Sequence, residues 1–330
     1  MKKQASFSLL LLLTTCTLMA QTHPLTGDRL AHTFSIVAID PETGEMAVGV
    51  QSHWFSVGSI ISWGQSGVGV VATQSFVNPA YGPNGLKLMS EGQSAGEALK
   101  FLVAEDEGRD YRQVAFLDVN GKVSAFTGEK CIAYASRMIG QDYSVQANMM
   151  LNDKVVPAIS SAFEESRGQP LAERVVLALL AGQDAGGDIR GRQSAALIVV
   201  GPTVAANPWE DKKVDLRVED HQTPLLELSR LLRVHMAYEH MNRGDLAVEH
   251  SNMELALLEY ESAEAMFPDN LEMKYWKAVA LANNGRFEES LAIFKSVFKA
   301  DDNWRELTVR LPDSGLLTIT EDELQLLLGL

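Results

Sequence analysis

Residues 32–52, HTFSIVAIDPETGEMAVGVQS, constrain the fold more than any other stretch of the chain. Residues 33–39 are rich in β-formers and alternate. Phe34, Ile36 and Ala38 fall on one face, Thr33, Ser35, Val37 and Ile39 on the other. Asp40-Pro41-Glu42-Thr43-Gly44 carries turn chemistry, because Pro fixes φ, Asp bonds its own backbone and Gly accepts the awkward angle. EMAVGVQS then resumes as a second strand. A hydroxyl residue, Thr33, stands at the head of the first. Inside a chain a Thr is inert; with a free α-amine, of pKa ~8, it carries its own base.

The 330 residues suffice for about two domains of ~100–200 residues each. A hydrophobic content of 46% indicates a globular protein with a sizeable core. A formal charge of -15 argues against nucleic acid and anionic membranes as partners. Residues 1–20 have the form of a signal peptide, with Lys2 and Lys3 ahead of an apolar run over 7–13 and Leu18-Met19-Ala20 before Gln21. The expectation is therefore export, to the periplasm or the exterior. The apolar run is shorter than the ~20 residues of a membrane span, so no transmembrane segment is expected. A lipoprotein signal ending at Cys16 is the alternative, and Thr15 just before that Cys counts against it. With the leader removed, Cys131 is the only cysteine, which excludes an intrachain disulfide and suits a buried structural thiol.

Beyond the hairpin, residues 67–73, GVGVVAT, read as a strand. The glycines imitate a dinucleotide fingerprint, but a β-branched run follows where that motif needs a helix. Residues 74–85 read as a polar loop with two prolines and two glycines, and 86–106 as helix broken near Gly92 and Gly96. Short strands over 111–117 and 123–127 flank an Asn120-Gly121 turn. Helices are expected over 155–165 and 171–181 and a buried strand over 194–200. Strands in hairpins with helices in blocks predict an α+β fold of largely antiparallel sheets, with helices layered outside.

Several blocks of residues 32–232 closely resemble DUF1028, a family of unknown function: TFSIVAIDPETGEMAVGVQS, GVGVVATQSFVNPAYGPNGL, FSVG, FTGEKC, YSVQANMM, GGDIRGRQSAALIVV and DLRVEDHQTPLLELSRLL. The resemblance implies the fold of N-terminal-nucleophile (Ntn) hydrolases, a four-layer α-β-β-α sandwich. It also implies a class of chemistry, amide hydrolysis by the side-chain oxygen of a first residue whose α-amine accepts the proton. Family members often begin Met-Thr-Phe-Ser, so Thr33 occupies the nucleophile's position. Here residues 21–32 would remain ahead of it after signal cleavage, and a second cut between His32 and Thr33 is required. An ordinary strand Thr with a satisfied hydroxyl is the competing reading.

Candidate supporting residues follow from position. Gln74 after a buried strand and Asn148 in YSVQANMM could donate to an oxyanion, and Asn78 in the Pro-Gly loop could do so or merely cap it. Asp188 and Arg190, in GGDIRGRQS, could clamp a substrate carboxylate or pair with each other. His53 beside Trp54 and Phe55 is a possible base or a packed ring. Ser35 and Ser52 have no base in view. The seven histidines are scattered, with His235 and His240 on different helix faces, so no metal site is expected, and the reaction needs no cofactor.

From residue 233 to 330 the chain reads as helical. Residues 271–302 fit a tetratricopeptide-like unit, with Trp276 and Ala278 in one helix, Gly285 in the turn and Phe287, Ser290, Leu291, Phe294 and Val297 in the next. A weaker copy over 237–268 would turn at Gly244-Asp245, and residues 321–328 would form a capping helix. Two repeats are fewer than the three that usually stand alone, which points to packing on the first domain, on a second copy or on the cap. The sequence thus supports an exported amidohydrolase acting on a small peptide, amino-acid derivative or cell-wall fragment. The alternative is a non-catalytic binding protein on the same scaffold, with the helices taking a protein partner or forming a homodimer.

Overall fold

The structure, a computed structural model, describes residues 29–330. The expected signal peptide, the Cys16 alternative and the expected cleavage site before Gln21 lie outside the described residues.

The first strands are β1 (Arg29–Ala31), β2 (Thr33–Ile39), β3 (Met46–Ser52), β4 (Ser62–Gln65) and β5 (Gly69–Val77), followed by helices α1 (Tyr81–Ser90) and α2 (Ala95–Glu105). Next come β6 (Arg112–Asp118), β7 (Val123–Thr127), β8 (Ser136–Ile139) and β9 (Tyr143–Ala147), then α3 (Val155–Glu165), α4 (Leu171–Asp184), β10 (Ser194–Val200) and β11 (Lys212–Val218). The remainder is helical: α5 (Pro224–Glu249), α6 (Met253–Met266), α7 (Leu271–Asn283), α8 (Phe287–Ala300), α9 (Asn303–Arg310) and α10 (Glu321–Leu328).

All strand pairs among the described residues are antiparallel. One sheet has the order β1-β5-β6-β7, with β4 also on β5; the other runs β11-β10-β3-β2-β9-β8. The opening hairpin forms as its alternation requires, Gly44 taking φ +70 in the turn. Phe34, Ile36 and Ala38 pack outward against Ile159, Val175 and Leu179 of α3 and α4. Val37 and Ile39 face inward, where they meet Val70, Ala72, Ala115 and Leu117 of the other sheet. On that sheet's far side, Val71, Val114 and Phe116 are covered by Tyr81, Leu86, Met89 and Leu99 of α1 and α2. Each large apolar side chain buried this way contributes ~1.5–3 kcal/mol.

The layer between the sheets has two ends of different chemistry. Along β2 the inward residues run Ile39, Val37, Ser35, Thr33, and along β5 they run Val70, Ala72, Gln74. β6 gives Leu117, Ala115, Gln113, and β3 gives Met46, Val48, Val50, Ser52. Read through the strand registers, these stripes all turn from apolar to polar toward the same end. Polar side chains buried there are costly unless they bond one another.

Three expectations are corrected. Gln74 does not follow a strand; it lies inside β5, which runs on to Val77 because β1 and β6 pair with it there, and α1 begins at Tyr81. The polar loop expected over 74–85 thus shrinks to the three residues Asn78, Pro79 and Ala80. β8, exposed along its whole length with Met138 and Ile139 included, and β11, whose Lys213, Asp215 and Arg217 meet solvent, were not expected as strands; each is a sheet edge. Gly244 and Asp245 make no turn. They lie within α5, and the chain instead reverses around Ser251, at φ +58, into α6, capped by Asn252.

α5 joins the two halves of the molecule. Leu225, Leu228 and Leu232 belong to the core outside the second sheet, whereas Ala237, Met241 and Ala247 pack with Tyr260, Ala263 and Met273 of α6 and α7. A further core joins α7, α8, α9 and α10 around Tyr275, Phe294 and Phe298. Among the described residues no helix is long and apolar enough to cross a membrane.

Candidate active site at the head of the second strand

β2 begins where the chain passes from one sheet to the other. β1 pairs with β5, in the register Leu30 opposite Phe76 and Ala31 opposite Ser75, whereas β2 pairs with β3 and β9. His32 makes the crossing. The His32–Thr33 peptide bond therefore sits at the polar end of the interlayer, with Thr33 fully buried and His32 almost so.

The carbonyl of His32 accepts two hydrogen bonds, from Ser52 Oγ at 2.6 Å and from Arg190 Nη2 at 2.8 Å. Ser52 is placed by the hairpin register, which sets it directly across from Thr33. Arg190 is held by Asp188, whose carboxylate receives Arg190 Nε at 3.0 Å and Nη2 at 2.6 Å. The Asp188 side chain is wholly buried and also accepts from the backbone N–H groups of Arg190 and His53. A buried carboxylate with four donors orients the guanidinium while leaving one N–H for the His32 carbonyl. Thr33 Oγ1 donates to the Ala31 carbonyl at 2.8 Å.

One residue on, the carbonyl of Thr33 accepts from Gln74 Nε2 at 3.1 Å and from the backbone N–H of Asn148 at 3.2 Å. Gln113 is the hub behind them. Its Oε1 accepts from Gln74 Nε2 at 2.7 Å and Asn148 Nδ2 at 2.9 Å, while its Nε2 reaches Thr127 Oγ1 and the carbonyls of Ser136 and Ala147. Ser35 Oγ donates to Gln74 Oε1 and accepts from Gln146 Nε2. The network draws on both sheets and locks their polar ends together.

The His32 ring lies edge-on to Phe76, 5.6 Å between centroids, and its Nδ1 donates to Asn148 Oδ1 at 2.6 Å. Nε2 is buried with no hydrogen-bond partner among the described residues. Burial pushes the imidazole below its ordinary pKa, outweighing the Asn148 bond that favours the cation, and the nearby Arg190 charge acts in the same direction as burial. The ring is thus neutral near pH 7.

Of the residues singled out from sequence, Thr33, Gln74, Asn148, Asp188 and Arg190 converge here. Gln74 and Asn148 aim their donors at the Thr33 carbonyl and at Gln113 rather than at the His32 carbonyl. His53 touches the cluster through its backbone N–H alone, at 3.3 Å from Asp188. Asn78 stands apart: its Oδ1 accepts from the Ala80 N–H and its carbonyl from Thr73 Oγ1, which closes the turn into α1. Gln113 and Gln146 are not singled out by the sequence, His32 enters it only as the residue before the expected cut, and Ser35 and Ser52 only as strand serines without a base. The hairpin register alone would have set Ser52 across from Thr33; nothing in the sequence places Gln113 under Gln74 before β5 and β6 are paired. Cys131 donates to the Arg112 carbonyl at 3.3 Å, and burial raises its thiol pKa. Among the described residues no group of three His, Cys, Asp or Glu side chains is placed to hold a metal ion.

The solved structure of SPO2555 from Silicibacter pomeroyi, a DUF1028 protein, is similar at 28% identity with a TM-score of 0.55, over 61% of this chain and 88% of that one. Anbu (ancestral β-subunit) from Yersinia bercovieri is similar at 12% identity and a TM-score of 0.31, over 61% of this chain and 93% of its own, a likeness that carries no argument. No curated protein matches the chain. The sequence model described as "Family of unknown function (DUF1028)" matches residues 33–228, more than half of the chain, beginning at Thr33 itself. The chain belongs to the DUF1028 family.

Proposed function

We propose that this protein is an exported amidohydrolase of the N-terminal-nucleophile type, in which Thr33 becomes the first residue and attacks amide carbonyls. Two sheets packed face to face between helical layers are, on this reading, the Ntn four-layer sandwich, and α5 to α10 form a tetratricopeptide-like region for partner binding.

The observation that carries the proposal is the treatment of one peptide bond. The carbonyl just ahead of Thr33 holds two donors, Ser52 Oγ and the Asp188-braced Arg190, at the position where an oxyanion would form. Attack by Thr33 Oγ1 on the His32 carbonyl carbon would put negative charge on that oxygen, between a hydroxyl and a guanidinium. Breaking the C–N bond then moves the Oγ1 proton to the departing nitrogen, leaving an ester on Thr33 Oγ1 and a free α-amine. Water hydrolyses the ester to a His32 carboxylate and restores the hydroxyl. The same amine then serves as the base for external amides, and the same two donors serve the new oxyanion.

That the family match starts at Thr33 supports the reading, since residues ahead of it lie outside the family's domain. One observation favours the non-catalytic alternative: Thr33 is fully buried and its hydroxyl is already engaged by the Ala31 carbonyl. The two readings separate on Thr33→Ala. The enzyme reading expects loss of His32–Thr33 cleavage and of amide turnover, with a stability change of only ~1 kcal/mol for one buried hydrogen bond. Turnover undiminished in that variant would end the proposal.

A further inference from the structure

The segment ahead of Thr33 lies outside the matched family domain, yet it is built into the first sheet. β1 covers the edge of β5 at Ser75, Phe76 and Val77, while β4 covers the same edge only from Gly69 to Ala72. Ala31 is fully buried and packs with Val50, Val57, Ile61, Val77 and Ala196. The His32 ring fills the adjoining place against Phe76 and Asn148. Arg112 Nη1 bonds the Phe76 carbonyl at 2.7 Å, so this end of β5 is braced independently of β1.

Resting on the proposed Ntn chemistry, we infer that the leader is a tethered substrate analogue, and that the substrates are peptides bound in extended form along the β5 edge at Ser75–Val77. The residue donating the cleaved carbonyl would carry a compact neutral ring that donates to Asn148 Oδ1, and the residue before it would be small and apolar. A small amino-acid amide would use only the first of these two subsites.

The leader itself already makes the strand pairing, the small apolar contact and the ring contact that such a peptide would make. Main-chain pairing to a strand edge supplies affinity and alternate side-chain pockets supply selectivity, as in other strand-addition complexes. While the His32–Thr33 bond is intact, the tether gives the leader a high effective concentration, and external peptides cannot displace it. Once the bond is cut, the leader loses that effective concentration and exchanges with external peptides, and its departure bares an unpaired edge beside the place of Ala31.

The test uses the chain trimmed to Thr33, either by its own cleavage or by expression from an initiator Met placed directly before Thr33. Its probes are the acetylated tetrapeptide Arg-Leu-Ala-His as free acid, the Arg-Leu-Trp-His analogue and acetyl-His, titrated by calorimetry, with the coumarin amides of the first and last assayed for release. The tetrapeptide should bind at least about tenfold tighter than either comparator, and Phe76→Ala should weaken it by about the same factor. The peptide comparison needs no variant, so it stands if Phe76→Ala fails to fold. Tetrapeptide binding no tighter than acetyl-His would overturn the inference. Turnover reports separately on the chemistry. Amide release that needs Thr33 without tetrapeptide preference removes the strand site and keeps the Ntn reading. Selective peptide binding without any release keeps the strand site and removes the chemistry.

Discussion

Gln113 shows how tightly the polar end of the interlayer is specified. It satisfies Gln74, Asn148, Thr127 and two backbone carbonyls from a position with no exposure to solvent. Gln113→Leu keeps the volume and strands those partners, so a loss of about 3 kcal/mol or more is expected, read as a lower urea midpoint. His32 makes the folded state respond to pH. Its pKa is depressed in the folded chain, so the unfolded chain binds the proton more readily. The stabilisation is complete above the unfolded value of about 6.5 and is lost as pH falls below it toward the folded value. Urea midpoints of the uncut Thr33→Ala chain should therefore drop between pH 7.5 and pH 5.5 by more than those of Thr33→Ala/His32→Gln. Equal drops would mean that the ring is not held neutral by its site.

At the scale of elements, the alternation and turn chemistry of residues 32–52 foretold β2, β3 and the faces they present. Thr33, Asp188 and Arg190 stand out in the sequence because each is at the start of a strand or in the loop before one. What stayed hidden was set by tertiary pairing. Residues 74–77 looked like loop because Gln74 and Ser75 lead straight into the prolines and glycines of 78–85. β8 lacks the apolar alternation that marks a half-buried strand, and the charged residues of β11 obscure its own. Gly49 of β3 illustrates a dependence that only packing reveals. A Cβ there would lie 2.3 Å from Val175 Cγ1 and 3.0 Å from Leu179 Cδ1, so α4 sits directly on the strand's backbone. Gly49→Ala should push α4 off β2 and β3 and cost about 1–3 kcal/mol, seen as a lower thermal midpoint. An unchanged midpoint would show that α4 can shift freely.

For the molecule as a whole, the sequence separated a mixed α/β half from a helical half, and the expected boundary near residue 232 falls inside α5. No composition change marks that helix as shared, because each end simply meets a different core. The two cores thereby share one helix, α5. The proposed chemistry depends throughout on one covalent event, release of the Thr33 amine. Intact mass and N-terminal sequencing of the purified full-length chain after incubation test it most directly. A chain beginning at Thr33 is expected in the wild type and an uncut His32–Thr33 bond in Thr33→Ala. A wild-type chain that retains His32 on long incubation, with the same mass pattern as Thr33→Ala, would contradict it.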